Sequence, residues 1–399
     1  MRILGARRRG IVRPMSLEDS ARAELDELAE THRLRTPRVV QGGQGPVIVL
    51  DGREVINLGS NDYLSLAADP RLGRAAERVI GESGVGAGAS RLIVGNHHAH
   101  TVLESAVADW LRCGGVRLFN AGYAANVGVL TALLRAGDVV FSDALNHASI
   151  IDGCRLSRAE VVVFPHRDLG ALEAALGAHV GRRRIIVSES LFSMDGDVAD
   201  VVGLAALAKR HDAALMLDEA HALGVMGPEG RGVAALAGIT PELLIGTFGK
   251  ALGSFGAFVA TSASIAELLW NRARSFVFST ALPPMVAAAS GAALEIVRGR
   301  EGDERRATLA ASERQFRAAV ARVSGAPESP IAPVIVGDDR VALAVAAATL
   351  EAGVFVPGIR PPTVPAGTAR LRASLAAGHL PHHIDIAIKT LNDATRRFT

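Results

Sequence analysis

From residue 100 to residue 261 the chain keeps one rhythm, and that rhythm limits the folds open to it. Short runs rich in Val, Ile and Leu at 116–119, 139–142, 161–164, 184–188 and 214–218 alternate with segments of helical spacing at 100–112, 126–134, 147–156, 168–177 and 201–211. Two more apolar runs, 243–247 and 255–261, follow. Strands separated by helices of about ten residues predict a mostly parallel sheet covered by helices on both faces, an α/β fold. Ligands of such sheets collect at the carboxyl ends of the strands, and the polar residues of this stretch cluster at those ends.

The flanks are organised differently. Residues 16–38 have helical spacing that stops before Pro37, and the runs VIVL and VINL around Asp51-Gly52 predict a hairpin. SNDYLSL at 60–66 is turn-like and leads into a helix through about residue 82. A helical pattern over about 283–324 precedes the Pro-rich segment PESPIAP and a second, smaller α/β unit. These breaks divide the chain into an arm, helix and hairpin (1–56), a large domain (57–295) and a small C-terminal domain (296–399). GVGAGAS at 84–90 follows a helical segment, not a strand, so it reads as a flexible turn near the active site and not as a dinucleotide-binding loop.

Composition removes several function classes. With 49% hydrophobic residues but 4% aromatics, the core must be built mainly from Ala, Val, Leu and Ile. Lys+Arg 43 against Asp+Glu 41 gives no charge argument for a nucleic-acid or membrane partner. Cys113 and Cys154 have no metal or redox spacing and suit a reducing cytoplasm. His97, His98, His100, His382 and His383 lack acidic or Cys partners at ligand spacing, so no metal is expected. The apolar stretch 341–359 is interrupted by Glu351, Gly353 and Pro357 and reads as a core helix followed by a strand, not a membrane span. The first fourteen residues hold five arginines and no hydrophobic signal core, which argues for a disordered tail, or a start at Met15, over a secretion signal.

The chemistry sits at the strand ends. LLIGTFGKALGSFG (243–256) places Lys250 in a turn of glycines and small residues; a desolvated lysine loses its proton more easily, and the neutral amine forms Schiff bases. Taken alone, the stretch reads equally well as a tight turn with a surface lysine. LMLDEAHAL runs an apolar strand into Asp218 and His221, where a buried carboxylate needs a partner such as a protonated ring nitrogen, unless it simply caps the next helix. FNAGYAAN opens a helix at Gly122 and Tyr123, whose free amides suit a phosphate. Tyr123 could equally be core packing, His147 a helix cap, and Ser193 an ordinary loop residue. Thr247, three residues before Lys250, can reach a phosphate held near the lysine. Together the residues call for a flat ligand with an aldehyde, a basic ring nitrogen and a phosphate, which is pyridoxal phosphate, an electron sink for carbanions.

With these residues in hand, the chain resembles the α-oxoamine synthase family of fold-type I pyridoxal-phosphate enzymes over roughly 57–379. The blocks that carry the likeness are SNDYLSL, GASRLIVGNHHAHTVLE, NHASIIDGCRLS, ESLFSMDGD, DEAHALGVMGPEGRG, TFGKALGSFG and FSTALPP. The resemblance implies that Lys250 forms the Schiff base and Asp218 pairs with the pyridine nitrogen. It implies that His147 stacks on the ring, with His221 at the phenolic oxygen and Ser193 beside it. Gly122, Tyr123 and Thr247 would hold the phosphate, with Thr280 reaching it from a partner subunit, so a homodimer with a shared site is implied. Arg372 would grip the amino-acid carboxylate; Asn61 and Thr363 would lie in substrate-side loops, and Arg35 near the thioester. RPPTVPAGTARLR at 360–372 is most similar to the branch that condenses L-alanine with a pimeloyl thioester, on coenzyme A or a carrier protein, in biotin biosynthesis. The sibling alternative is the glycine-using 2-amino-3-ketobutyrate ligase, which usually has a shorter variant of this segment. Two departures, the alanines of GVGAGAS and Ala222 in DEAHALG, exchange small residues for small ones and imply altered loop stiffness only.

Overall fold

The computed structural model describes residues 16–398. The chain opens with α1 (Leu17–Glu30), whose N-cap Ser16 accepts the Asp19 N–H at 3.1 Å. Three short strands follow, β1 (Val40–Gln41), β2 (Val47–Leu50) and β3 (Arg53–Asn57). The β2–β3 turn is Asp51-Gly52, with φ of 51° and 80°, the left-handed pair that a two-residue hairpin of the right twist requires. Helices α2 (Pro70–Ser83) and α3 (His98–Leu111) lead into the main sheet.

That sheet is laid down as β4 (Gly115–Phe119), α4 (Gly122–Leu133), β5 (Val139–Asp143), α5 (Ala148–Ser157), β6 (Glu160–Phe164), α6 (Leu169–Ala178), β7 (Arg184–Glu189), α7 (Val201–Arg210), β8 (Ala214–Asp218), the short α8 (Gly232–Leu236), β9 (Leu243–Thr247) and β10 (Ala257–Thr261). The strand order is β4-β10-β9-β8-β7-β5-β6. Neighbours are parallel from β6 to β9, whereas β10 runs antiparallel to both β9 and β4. The reversal follows from chain length: the 248–256 connection is shorter than the roughly dozen residues a parallel crossover needs. Alternate residues of β5 enter different cores, Val140 one and Val139 and Phe141 the other, as a sheet covered on both faces requires.

The remainder comprises α9 (Ala263–Arg272), α10 (Arg274–Val277), α11 (Pro284–Arg298), α12 (Arg300–Ala319), β11 (Ile331–Gly337), α13 (Asp339–Glu351), β12 (Val354–Phe355), β13 (Gly358–Ile359), β14 (Ala369–Ser374) and α14 (Pro381–Phe398). The helical pattern expected to run unbroken through 283–324 is two helices. Gly299 between them is extended (φ −90°, ψ 178°), and the corner is close enough that a Cβ on Gly302 would lie 2.1 Å from Val297 O. The 341–359 stretch is α13 followed by β12 and β13, as its pattern predicts. β14 is the centre of a three-stranded sheet, β11-β14-β13. β12 pairs in parallel with β3, so the N-terminal hairpin and the C-terminal segment share one four-stranded sheet. One apolar cluster spans both regions, from Leu58 and Leu64 through Phe316 to Leu371 and Leu391.

The turn after β9 is fixed by its backbone. Phe248 N–H donates to Gly256 O (2.9 Å), Gly253 N–H to Lys250 O (2.8 Å) and Ser254 N–H to Phe248 O (2.8 Å). Gly253 has φ +61°, and a Cβ there would meet Ala67 N at 2.4 Å, so a glycine lets this turn press against the end of the 60–66 segment. Among the described residues no helix is long and apolar enough to cross a membrane, and no group of three metal-ligating side chains occurs. The Arg-rich stretch and the alternative start at Met15 lie outside the described residues.

Candidate active site

The carboxyl ends of β4, β5, β7, β8 and β9 face one cavity of about 190 Å³. Its lining holds seven residues expected from the sequence: Gly122, Tyr123, His147, Asp218, His221, Thr247 and Lys250. It also holds Asn126, Ser149, Glu189 and Ala220, which sequence reasoning passed over.

Each side chain is held by the element that delivers it. Thr247 Oγ1 donates to Gly256 O at 2.9 Å and accepts from Gly249 N–H at 3.1 Å, which sets the turn carrying Lys250. Burial lowers the Lys250 ammonium pKa; the carboxyls of Asp218 and Glu189 oppose the shift and Arg372 adds to it. A larger share of lysine is therefore in the neutral, nucleophilic form. Asp218 ends β8 and is 6% exposed. It accepts from Asn126 Nδ2 at 2.8 Å and from Ala220 N–H at 2.9 Å, yet no ion pair to it is found among the described residues.

The two histidines are kept neutral. His147 caps α5, its Nδ1 accepting from Ser149 N–H at 3.2 Å; burial depresses its pKa against the opposing pull of Asp218. His221 lies well below the usual histidine range because it is buried and faces Lys250 and Arg372. The Tyr63 hydroxyl lies 2.7 Å from His221 Nδ1 and 3.1 Å from Asn61 Oδ1, and Arg372 Nη2 donates to it from 3.4 Å. Fully buried Tyr63 thus ties the histidine to the arginine.

Arg372, on β14, reaches this corner with four of its five N–H donors engaged. Nε donates to Ser193 O (2.5 Å), and Nη1 donates to Asn61 Oδ1 (3.2 Å) and Ser374 Oγ (2.8 Å). Arg372, Asn61 and Ser193 do not line the cavity. Ser193 is one contact from it, through its N–H to Glu189 Oε2, and Arg372 and Asn61 reach it through Tyr63 and His221. α4 starts at Gly122 after Ala121, which offers no side-chain cap, so its first-turn amides stay available to an anion. Tyr123 is half exposed rather than core, and its hydroxyl donates to Asp152.

Three expected residues lie elsewhere in this chain. Thr280 is exposed and outside the cavity lining, its carbonyl accepting from Asn120 Nδ2 at 2.8 Å. Arg35 and Thr363 meet each other instead, Nη2 to Oγ1 at 3.3 Å. Arg360 holds the same two segments together through His32 O (2.6 Å) and Leu34 O (3.0 Å). The 84–90 turn, expected near the site, contributes no lining residue, because it closes onto the 281 segment through Ala281 N–H to Ala89 O at 3.0 Å.

Tyr63, Asn126, Ser149 and Glu189 all stand inside motifs quoted from the sequence, but only their contacts in space single them out. Tyr63→Phe is expected to destabilise the protein by about 1–3 kcal/mol, because it strips the partner from buried His221 Nδ1 and from Arg372. A denaturant midpoint measured against the unchanged chain checks this.

Comparison with known proteins gives a consistent picture. The model of the family described as aminotransferase class I and II matches residues 53–391. A curated 8-amino-7-oxononanoate synthase from Geobacter sulfurreducens is 48% identical over 378 residues, 93% of this chain and 97% of the relative. A serine palmitoyltransferase from S. paucimobilis, solved with PLP and myriocin bound, superposes with a TM-score of 0.90 at 31% identity, covering 96% of this chain and 99% of that one. An 8-amino-7-oxononanoate synthase structure from Francisella tularensis gives 0.74 at 27% identity, covering 86% of this chain and 98% of that one.

Proposed function

This chain belongs to the aminotransferase class I and II family, and we propose that within it the protein is an 8-amino-7-oxononanoate synthase. It condenses L-alanine with a pimeloyl thioester and releases 8-amino-7-oxononanoate, CO2 and the free thiol, a step of biotin biosynthesis. The observation that carries this reading is the convergence of Lys250 and an unpaired Asp218 carboxylate on one cavity. A buried carboxylate with no ion-pair partner among the described residues fits a protonated ring nitrogen, so the residues present suit pyridoxal phosphate. Gly122, Tyr123 and Thr247 would hold its phosphate, His147 its ring face and His221 its phenolic oxygen, with Ser193 close by. When bound, the cofactor supplies an electron sink for negative charge at the substrate Cα.

The chain's own residues do the rest. Arg372 would exchange some of its present partners for the alanine carboxylate and grip it with its planar guanidinium, a two-pronged contact that lysine cannot copy. Lys250 Nζ takes the Cα proton, which its lowered pKa permits, and returns a proton after CO2 has left. Neutral His221, bridged by Tyr63 to Arg372, couples the cofactor side of the site to the substrate side. Asn61 and Thr363 would lie in the substrate-side loops, and Arg35 near the acyl thioester.

The working unit in this reading is a cytoplasmic homodimer in which Thr280 of each chain completes the other's phosphate site. α1 supports it: none of its residues is buried, and Leu17, Leu25 and Leu28 are exposed. A 14-residue helix without tertiary packing is marginal on its own. The deciding experiment supplies the PLP-loaded protein with pimeloyl-CoA and alanine, glycine or serine in turn, and identifies products by mass. Alanine is expected to give 8-amino-7-oxononanoate; product from glycine or serine alone would overturn the assignment.

A further inference from the structure

Glu189 is a buried acid that the mechanism leaves without a task. It ends β7, is 3% exposed and lines the Lys250 cavity. In the parallel ladder its Cα partner is Asp218, so two acids stand side by side at the same sheet edge. Two carboxylates so placed in a dry site do not both ionise; one keeps a proton.

The hydrogen bonds decide which. Both Asp218 oxygens take donors, Asn126 Nδ2 at 2.8 Å and Ala220 N–H at 2.9 Å. Glu189 takes the longer Ser193 N–H bond on Oε2 at 3.3 Å with the His147 backbone N–H nearby, and its buried Oε1 has no hydrogen-bond partner among the described residues. Around Glu189 stand Asp218, Lys250 and His147, with His221, Glu219 and Arg372 a step beyond; Arg372 binds the carbonyl of the same Ser193. Burial, the largest effect, and Asp218 oppose an ionised Glu189, while the Lys250 charge and the backbone N–H groups of His147 and Ser193 favour it.

We propose that Glu189 is a positioning residue that works as a neutral carboxylic acid, leaving Asp218 the single negative charge at the sheet edge and setting the pH at which Lys250 gives up its proton. The proposal rests on the pyridoxal-phosphate reading above. Above neutral pH, loss of the Glu189 proton places a second anion beside Lys250 and holds the lysine proton on longer. The raised pKa of Glu189, caused by burial and Asp218, agrees with this order of events.

The test uses the PLP-loaded enzyme and follows the absorbance of the bound cofactor across a pH titration, for the unchanged chain, Glu189→Gln and Glu189→Asp. Glu189→Gln is permanently neutral; its transition is expected about one pH unit lower than that of the unchanged chain. Glu189→Asp, with a shorter reach to Lys250, is expected in between. A Gln titration that superposes on the unchanged one overturns the proposal. So does loss of the chromophore in Gln with retention in Asp, which would mark Glu189 as a required anion. If the Gln chain does not fold, an Asp transition coincident with the unchanged one overturns the proposal equally. Absence of any chromophore in the unchanged protein would instead overturn the cofactor reading on which the proposal stands.

Discussion

Lys250→Ala is expected to lower turnover by about 10⁴-fold or more while leaving the fold in place. On the proposed reading one amine would carry two tasks in this site, attachment of the cofactor aldehyde and movement of the Cα proton, with no neighbour placed to take over either. His147 and His221, the other candidate bases, are weakened as bases because burial lowers their pKa, and His221 Nδ1 is occupied by the Tyr63 hydroxyl. Stability should change little, within about 1 kcal/mol, because the turn is fixed by backbone bonds that alanine keeps, Gly253 N–H to Lys250 O among them. The lysine also opens onto the cavity, so its truncation leaves no core void. The measurements are product formation by mass, the absorbance of added PLP and a thermal midpoint. Full turnover with an unchanged midpoint would remove Lys250 from the chemistry.

The strands were legible because their code is local. Apolar runs such as IIVS and LMLD show buried strands, and seven residues expected at the strand ends line one cavity. Contacts that join distant segments left no such mark. The β3–β12 pairing links Ile56 with Val354, and neither short strand announces a partner. The break at Gly299 was hidden because apolar spacing continues on both sides of it, while the glycine takes an extended conformation that helical periodicity does not register. The same division runs through the site. Lys250, Asp218 and His147 could be found from residue type and place, whereas Glu189 and Asn126 matter through which atoms they face. Arg35 and Thr363 were both assigned to the substrate side, and they meet across 328 residues of sequence, a contact that spacing cannot reveal.

Asp218→Asn is expected to cost about 3–4 kcal/mol of transition-state stabilisation, a fall in turnover of about 10²–10³-fold, with almost no loss of stability. The amide is isosteric, and the structure can satisfy it. Ala220 N–H keeps an oxygen acceptor, and Asn126 can turn its own amide so that Oδ1, buried and unpartnered beside Asp218, accepts from the new NH2. What the amide cannot do is balance a positive ring nitrogen. Without that charge a bound ring nitrogen would give up its proton, and the ring would draw less negative charge from Cα. Glu189 makes the substitution more informative. With the Asp218 charge gone, the neighbouring acid loses the repulsion that helps to keep it protonated, so its pKa should fall. It would then ionise one strand away from the position the ring nitrogen needs, and in part offset the missing anion. Glu189→Gln added to Asp218→Asn should therefore lower turnover further than Asp218→Asn alone. A double-mutant cycle on turnover, with thermal midpoints alongside, measures that coupling, and additive effects would show that the two acids act independently.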